Sequence, residues 1–220
     1  MNWFKSKSYP EFWEAYLSFF KSPQNQDLNA TRFVVFDTET TGLDINKDKI
    51  LSIGCIAVEN LKIRVADQLE IYVKQKHFNT ETVKIHGLLK DGKISKVQES
   101  EAIIHFLDYV KDAVLVAHHA AFDVAMINTA LKQMGLPKLK NKVIDTGHLF
   151  QKTKLDTSKA HFSLDELSER FHIPLHDRHT ASGDAYITAL LFLKLITKLT
   201  VNQDLKLKDL LRPVNRVGLL

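Results

Sequence analysis

Two carboxylates spaced two residues apart, at the end of an apolar run, are the first chemistry the sequence offers. Residues 33–43 read Phe-Val-Val-Phe-Asp-Thr-Glu-Thr-Thr-Gly-Leu. A continuous run of β-branched and aromatic residues reads as a strand buried on both faces. Side chains two apart on a strand share a face, so Asp37 and Glu39 are expected to point the same way. Carboxylates held that close repel, and one is driven to protonate unless a cation sits between them. Hard divalent cations such as Mg²⁺ and Mn²⁺ take oxygen ligands of this kind. A polar strand end entering a Thr-Thr-Gly turn would carry the same residues, so the pair alone leaves both readings standing.

Two other stretches carry groups of the same sort. Asp123 follows Val-Ala-His-His-Ala-Ala-Phe and opens a helical pattern. An acidic residue there is also favoured simply by the exposed N–H groups and dipole of a helix start. Residues 176–184 read His-Asp-Arg-His-Thr-Ala-Ser-Gly-Asp. Thr180 can cap the helix that follows. Asp184 enters an otherwise apolar helix, which is costly for a carboxylate without a partner or a metal. His179 lies just ahead of the helix, where the dipole favours neutral imidazole. A neutral imidazole beside an activated water can act as general base, although most of the ten histidines are expected to be solvated surface residues.

The elements that must position these groups follow from periodicity. Residues 33–37, 50–58 and 61–73 read as strands, the last two joined at Glu59-Asn60 as a hairpin. Together they predict a three-strand antiparallel meander. Residues 113–117 and 143–145 read as short strands. Helical patterns appear near 80–86, and at 99–111, 121–134, 163–171 and 181–199. Strands of a meander followed by alternating strands and helices indicate an α/β fold, a mixed sheet covered by helices. Residues 1–31 form an aromatic helix (Tyr9, Phe12, Trp13, Tyr16, Phe20) and a polar linker. The helix is expected to pack on its own chain, with docking to a partner as the rival reading. Residues 201–220 read as a C-terminal helix or tail.

Composition bounds the rest. The chain has 220 residues, 45% hydrophobic and 25% charged, with a net charge of +4 and a sequence pI near 9.0. A chain of this size buries roughly 70% of its unfolded surface, enough for a full core. The weak positive charge is compatible with a polyanionic partner without demanding one. The single cysteine, Cys55, allows no disulfide within the chain and suits a reducing compartment. No signal-peptide pattern or membrane-spanning run is visible, so a cytoplasmic location and no membrane partner are expected.

Taken together, the motifs resemble the DEDD superfamily of 3′→5′ exonucleases in its histidine subtype. They are similar to the proofreading (epsilon) subunits of bacterial DNA polymerase III. The first family motif, Asp-x-Glu after a buried strand, is met by Asp37 and Glu39. The second ends in Phe122-Asp123, and the third, His-x-Ala-x-x-Asp, is met by His179, Ala181 and Asp184. His86-Gly87 and Asp145-Thr146 match two further recurring elements. The resemblance covers about residues 33–196 and implies a ribonuclease-H-like fold with a five-stranded mixed sheet, within an exonuclease domain at 32–200. It implies two divalent ions, Mg²⁺ or Mn²⁺, held by Asp37, Glu39, Asp123 and Asp184, with His179 as base. Thr38, Thr40, Leu43, His86, His118 and Phe122 become candidate substrate contacts. The implied substrate is a single-stranded or frayed DNA 3′ end, with a polymerase or repair complex as partner. An RNA exonuclease of the ribonuclease T or oligoribonuclease kind, and a non-catalytic nucleic-acid-binding module, are the rivals. One departure stands out: His119 occupies a place where the family commonly has Asn.

Overall fold

The structure is a computed structural model that describes residues 8–75, 94–201 and 204–213. The helical pattern near 80–86, and with it His86, lies outside the described residues. Five strands form one sheet in the order β3-β2-β1-β4-β5. They are β1 (Phe33–Thr40), β2 (Ile50–Glu59), β3 (Lys62–Tyr72), β4 (Val114–Ala117) and β5 (Val143–Asp145). The first three run antiparallel as a meander, while β4 and β5 add parallel to the other side of β1. The sheet is thus mixed, as the sequence predicts. The β2–β3 hairpin turns at Asn60 and Leu61, both at φ 52°. Positive φ at both central residues matches the twist of the flanking strands.

Helices cover both faces. The alternation along β1 explains how: Phe33 and Val35 face one way, Val34 and Phe36 the other. Phe33 and Val35 pack in a core with α4 (Thr146–Thr153), α5 (Leu164–Arg170), α6 (Ala181–Thr200) and α7 (Leu207–Leu211). Val34 and Phe36 pack with α1 (Glu11–Ser18), α2 (Glu99–Val110) and α3 (Ala121–Gln133). The aromatic helix α1 lies on its own chain, with Trp13 and Tyr16 only 1% and 2% exposed. The Tyr16 hydroxyl donates to Asn141 Oδ1 at 2.7 Å and accepts from the Lys140 N–H at 2.8 Å. Asn141 in turn donates to the carbonyls of Lys111 and Ala113, so this polar knot ties α1 to the starts of β4 and β5. Helix α4 is not among the helices predicted from the sequence; it buries Thr146, Leu149 and Phe150, and its start is set by Asp145, whose carboxylate accepts from the N–H groups of Gly147 and His148. No helix among the described residues is long and apolar enough to cross a membrane.

Candidate active site

The strand order reverses direction of travel at β1: the chain leaves it toward β2 on one side and returns to pair β4 on the other. Crevices beyond the carboxyl ends of parallel strands at such a point are natural ligand sites. Asp37 and Glu39 lie at that end of β1, on the face that Phe33 and Val35 share. A register shift between Glu39 and Thr40 bends the strand there, a device that re-aims side chains next to functional sites.

Helix α6 meets the same face. Its start is fixed by Thr180, whose hydroxyl accepts from the Gly183 N–H. Asp184 follows in the first turn. The helix can come this close because Gly54, directly opposite Asp37 in the β1–β2 register, has no side chain. A Cβ at Gly54 would stand 2.2 Å from the Ala181 carbonyl carbon. Asp37, Glu39 and Asp184 consequently present oxygens all within 4.8 Å of one another.

Asp123 stands apart from that trio. It heads α3 on the opposite face of the sheet, and its Oδ1 accepts from the Thr38 N–H at 3.0 Å and the Thr38 hydroxyl at 2.6 Å. The site therefore straddles the end of β1, with three carboxylates on one face and the fourth beside Thr38. The electrostatics bear the mark of this crowding. Desolvation, then the charges of Asp123, Asp184 and Glu39, push Asp37 well above the usual carboxylate range. Glu39 is pushed up to about 7 by desolvation and Asp184. Asp123 also rises to about 7 through desolvation, against the pull of the Thr38 hydrogen bonds. Burial raises Asp184, opposed by the Arg178 guanidinium that pairs with it.

His179 is exposed at the head of α6, and its backbone N–H lies 3.4 Å from Asp184 Oδ1. Leu43 projects from the loop after β1 and is 84% exposed. That loop is braced by Asp48, which accepts from the Thr41 hydroxyl and the Asp44 N–H. Phe122 is partly buried against the α2–α3 core. The remaining candidates are engaged inside the protein. Thr38 holds Asp123, and Thr40 donates to the Gly42 carbonyl, both being buried. His118 Nε2 lies 3.0 Å from the Phe162 carbonyl, which requires the proton on that nitrogen, and Nδ1 faces the Thr146 hydroxyl at 2.8 Å. Burial pushes its pKa down to about 4, so the ring is a neutral strut. His119 is exposed and sits at φ 56°. Asn and His are both enriched in that left-handed region, which gives a backbone reason why one can replace the other.

Three contributors were not singled out from the sequence. Gly54 had a signal, since an isolated glycine inside a strand marks a close backbone approach. Arg178 directly precedes the third motif and lies outside its pattern. Asp48 had no signal, because its bonds close a loop geometry that periodicity does not describe.

The exonuclease family model of the RNase T type matches residues 34–192, more than half of the chain. A DNA polymerase III PolC-type from Caldanaerobacter subterraneus subsp. tengcongensis is 38% identical over 176 residues, 76% of this chain. The chain spans 12% of that relative's length. Among solved structures, the nuclease domain of 3'hExo, a DEDDh family member bound to rAMP, superposes with TM-score 0.66 at 14% identity. The match covers 78% of this chain and 94% of that one. Exonuclease X in complex with 5′-overhanging duplex DNA gives TM-score 0.61 at 22% identity, covering 81% and 96%. At these identities the two superpositions speak for the fold alone, whereas the family match extends through the β1, α3 and α6 motifs. The chain belongs to the exonuclease family, among the DEDD 3′→5′ exonucleases.

Proposed function

We propose that the protein hydrolyses nucleic acid from the 3′ end in a divalent-cation-dependent reaction, releasing nucleoside 5′-monophosphates from single-stranded or frayed DNA. The observation that carries this reading is the meeting of Asp37, Glu39 and Asp184 within 4.8 Å, from elements far apart in sequence. The donor set fits Mg²⁺ or Mn²⁺: every donor is a hard carboxylate oxygen, and the negative charge exceeds what one guanidinium neutralises. Asp37, Glu39 and Asp184 would hold one ion, and Asp37 with Asp123 the other. Both Thr38 bonds fall on Asp123 Oδ1, which leaves Oδ2 for a cation. Ions held there would supply positive charge to the attacking and leaving oxygens of an in-line displacement.

The chain's own groups complete the chemistry. His179 accepts the proton of the attacking water; its exposed position lets that proton pass on to solvent. Leu43 and the backbone of the loop after β1 lie against the terminal nucleotide, with Phe122 flanking it. The hydroxyls of Thr38 and Thr40, buried and bonded to Asp123 and the Gly42 carbonyl, shape this wall. A net charge of +4 suits a few phosphate contacts and so a short single strand. The name of the PolC-type relatives supports DNA as substrate, and a polymerase or repair complex as the source of processivity. The rAMP bound by one structural neighbour keeps RNA as the second reading.

The deciding experiment uses 5′-labelled single-stranded DNA and RNA of one sequence, with Mg²⁺, Mn²⁺ or EDTA. Stepwise shortening from the 3′ end is expected with either metal, none in EDTA, and none from Asp37→Ala. DNA is expected to be cut at least as well as RNA. A preference for RNA above about tenfold, some 1.4 kcal/mol in the transition state, moves the protein to the ribonuclease branch. Inertness toward both polymers would leave only a binding module.

A further inference from the structure

Arg178 precedes His179 and spans two helices with one guanidinium. One edge forks onto Asp165 in the first turn of α5, Nε to Oδ1 at 2.7 Å and Nη2 to Oδ2 at 3.5 Å. The other edge pairs Nη1 with Oδ2 of Asp184. The same Nη1 lies 3.3 Å from Nδ1 of His179. A guanidinium only donates, so His179 must offer its Nδ1 lone pair to this contact. One side chain thus touches both a carboxylate of the acidic trio and the ring of the histidine, while a carboxylate outside the site anchors it. The side chains of Arg178 and Asp184 are 22% and 7% exposed, so water screens their pairing poorly.

We propose that Arg178 is an internal counter-cation: it neutralises Asp184 in the metal-free protein, competes with the divalent ion for that carboxylate, and withdraws onto Asp165 when the ion binds. The inference rests on the reading of Asp184 as a metal ligand. Asp184 Oδ2 cannot serve a guanidinium and a dication fully at once, because the two cations would repel across one oxygen. Arg178 does not lose its charge partner when it leaves, since the fork on Asp165 is already made. Asp165 is half exposed, which gives the withdrawn guanidinium a solvated resting place. Leaving Asp184 also frees the Nδ1 lone pair of His179. Metal loading and release of the base are therefore one event. A lysine at this position would lack the planar fork that bridges two carboxylates.

The test is Ca²⁺ titration of the full chain by calorimetry, with melting temperature in EDTA as a second readout. Arg178→Gln is expected to bind Ca²⁺ roughly tenfold more tightly, the factor that about 1.4 kcal/mol supplies, and to melt lower in EDTA. Asp165→Asn removes the resting place and is expected to weaken Ca²⁺ binding by a similar factor. The double variant should resemble Arg178→Gln. A residue that merely shapes the loop would weaken binding in both single variants. Unchanged or weaker binding by Arg178→Gln, or unchanged or tighter binding by Asp165→Asn, overturns the proposal. Should Arg178→Gln fail to fold, Asp165→Asn carries the test alone. Wild-type protein that binds neither Ca²⁺ nor Mg²⁺ would instead remove the metal reading, and the counter-cation with it.

Discussion

His179 reaches its place through backbone conformation. It sits at φ 65°, two residues after Asp177 at φ 52°. These two left-handed residues fold the loop onto the first turn of α6, where Thr180 donates its hydroxyl to the Asp177 carbonyl. Gly183 is needed beneath it, because a Cβ there would stand 2.1 Å from the Asp177 carbonyl oxygen. The imidazole is therefore held beside Asp184 without being one of the clustered carboxylates. His179→Ala is expected to lower kcat by about 10²–10⁴ while Mg²⁺ or Ca²⁺ binding, measured by calorimetry, stays near wild type. Unchanged turnover would reduce His179 to a loop residue. That Asp37 and Glu39 share a face, and that Asp184 opens a helix, was legible because strand alternation and a helix start are local patterns. That Asp123 rests on Thr38, and that Arg178 joins Asp165 to Asp184, could not be read, since both are contacts between segments that no local pattern relates.

At the scale of elements, the approach of α6 to β2 decides whether the trio exists. Gly54 faces the Ala181 carbonyl and the Ser182 N–H so closely that any Cβ forces the helix outward. The sequence predicted both elements; it could not supply their separation, which is a property of the pair. Overpacking at such a contact costs about 1–3 kcal/mol. The catalytic cost should be larger, because a shift of about 1 Å in a positioned group can cost on the order of 10²-fold. Gly54→Ala is therefore expected to remain folded, to melt somewhat lower, and to lose about 10²-fold in kcat. Wild-type turnover from a folded Gly54→Ala protein would show that Asp184 tolerates displacement. Helix α1 teaches the same lesson in reverse. Its aromatic spacing announced a buried face, and the structure supplies the partner in Asn141, Lys140 and the α2–α3 layer.

At the scale of the whole molecule, four crowded carboxylates face the single guanidinium of Arg178, and stability should register that imbalance. In the metal-free protein Glu39 and Asp123 titrate near 7, and Asp37 and Asp184 are also raised. In the unfolded chain carboxylates titrate near 4. Between these values the folded state holds protons that the unfolded state has released, so stability falls as pH rises. His118 acts oppositely. Its folded pKa of about 4 lies below the ordinary value of 6.5, so it adds stability as pH rises through that interval. Above about pH 6.5 His118 is neutral in both states, and the acidic crevice alone sets the trend. The melting temperature in EDTA is accordingly expected to fall from pH 5 to about 7, where several raised carboxyls outweigh the single His118, and to fall less steeply from there to pH 8 as Glu39 and Asp123 release their protons. Cations compete with these protons for the same oxygens, so binding should tighten with rising pH. With saturating Mg²⁺ the decline should flatten, and the gap between the Mg²⁺ and EDTA curves should widen toward pH 8. Differential scanning calorimetry at four or five pH values, each with and without Mg²⁺, measures this directly. A gap that is constant with pH would mean that the ion does not replace protons on Asp37, Glu39, Asp123 and Asp184.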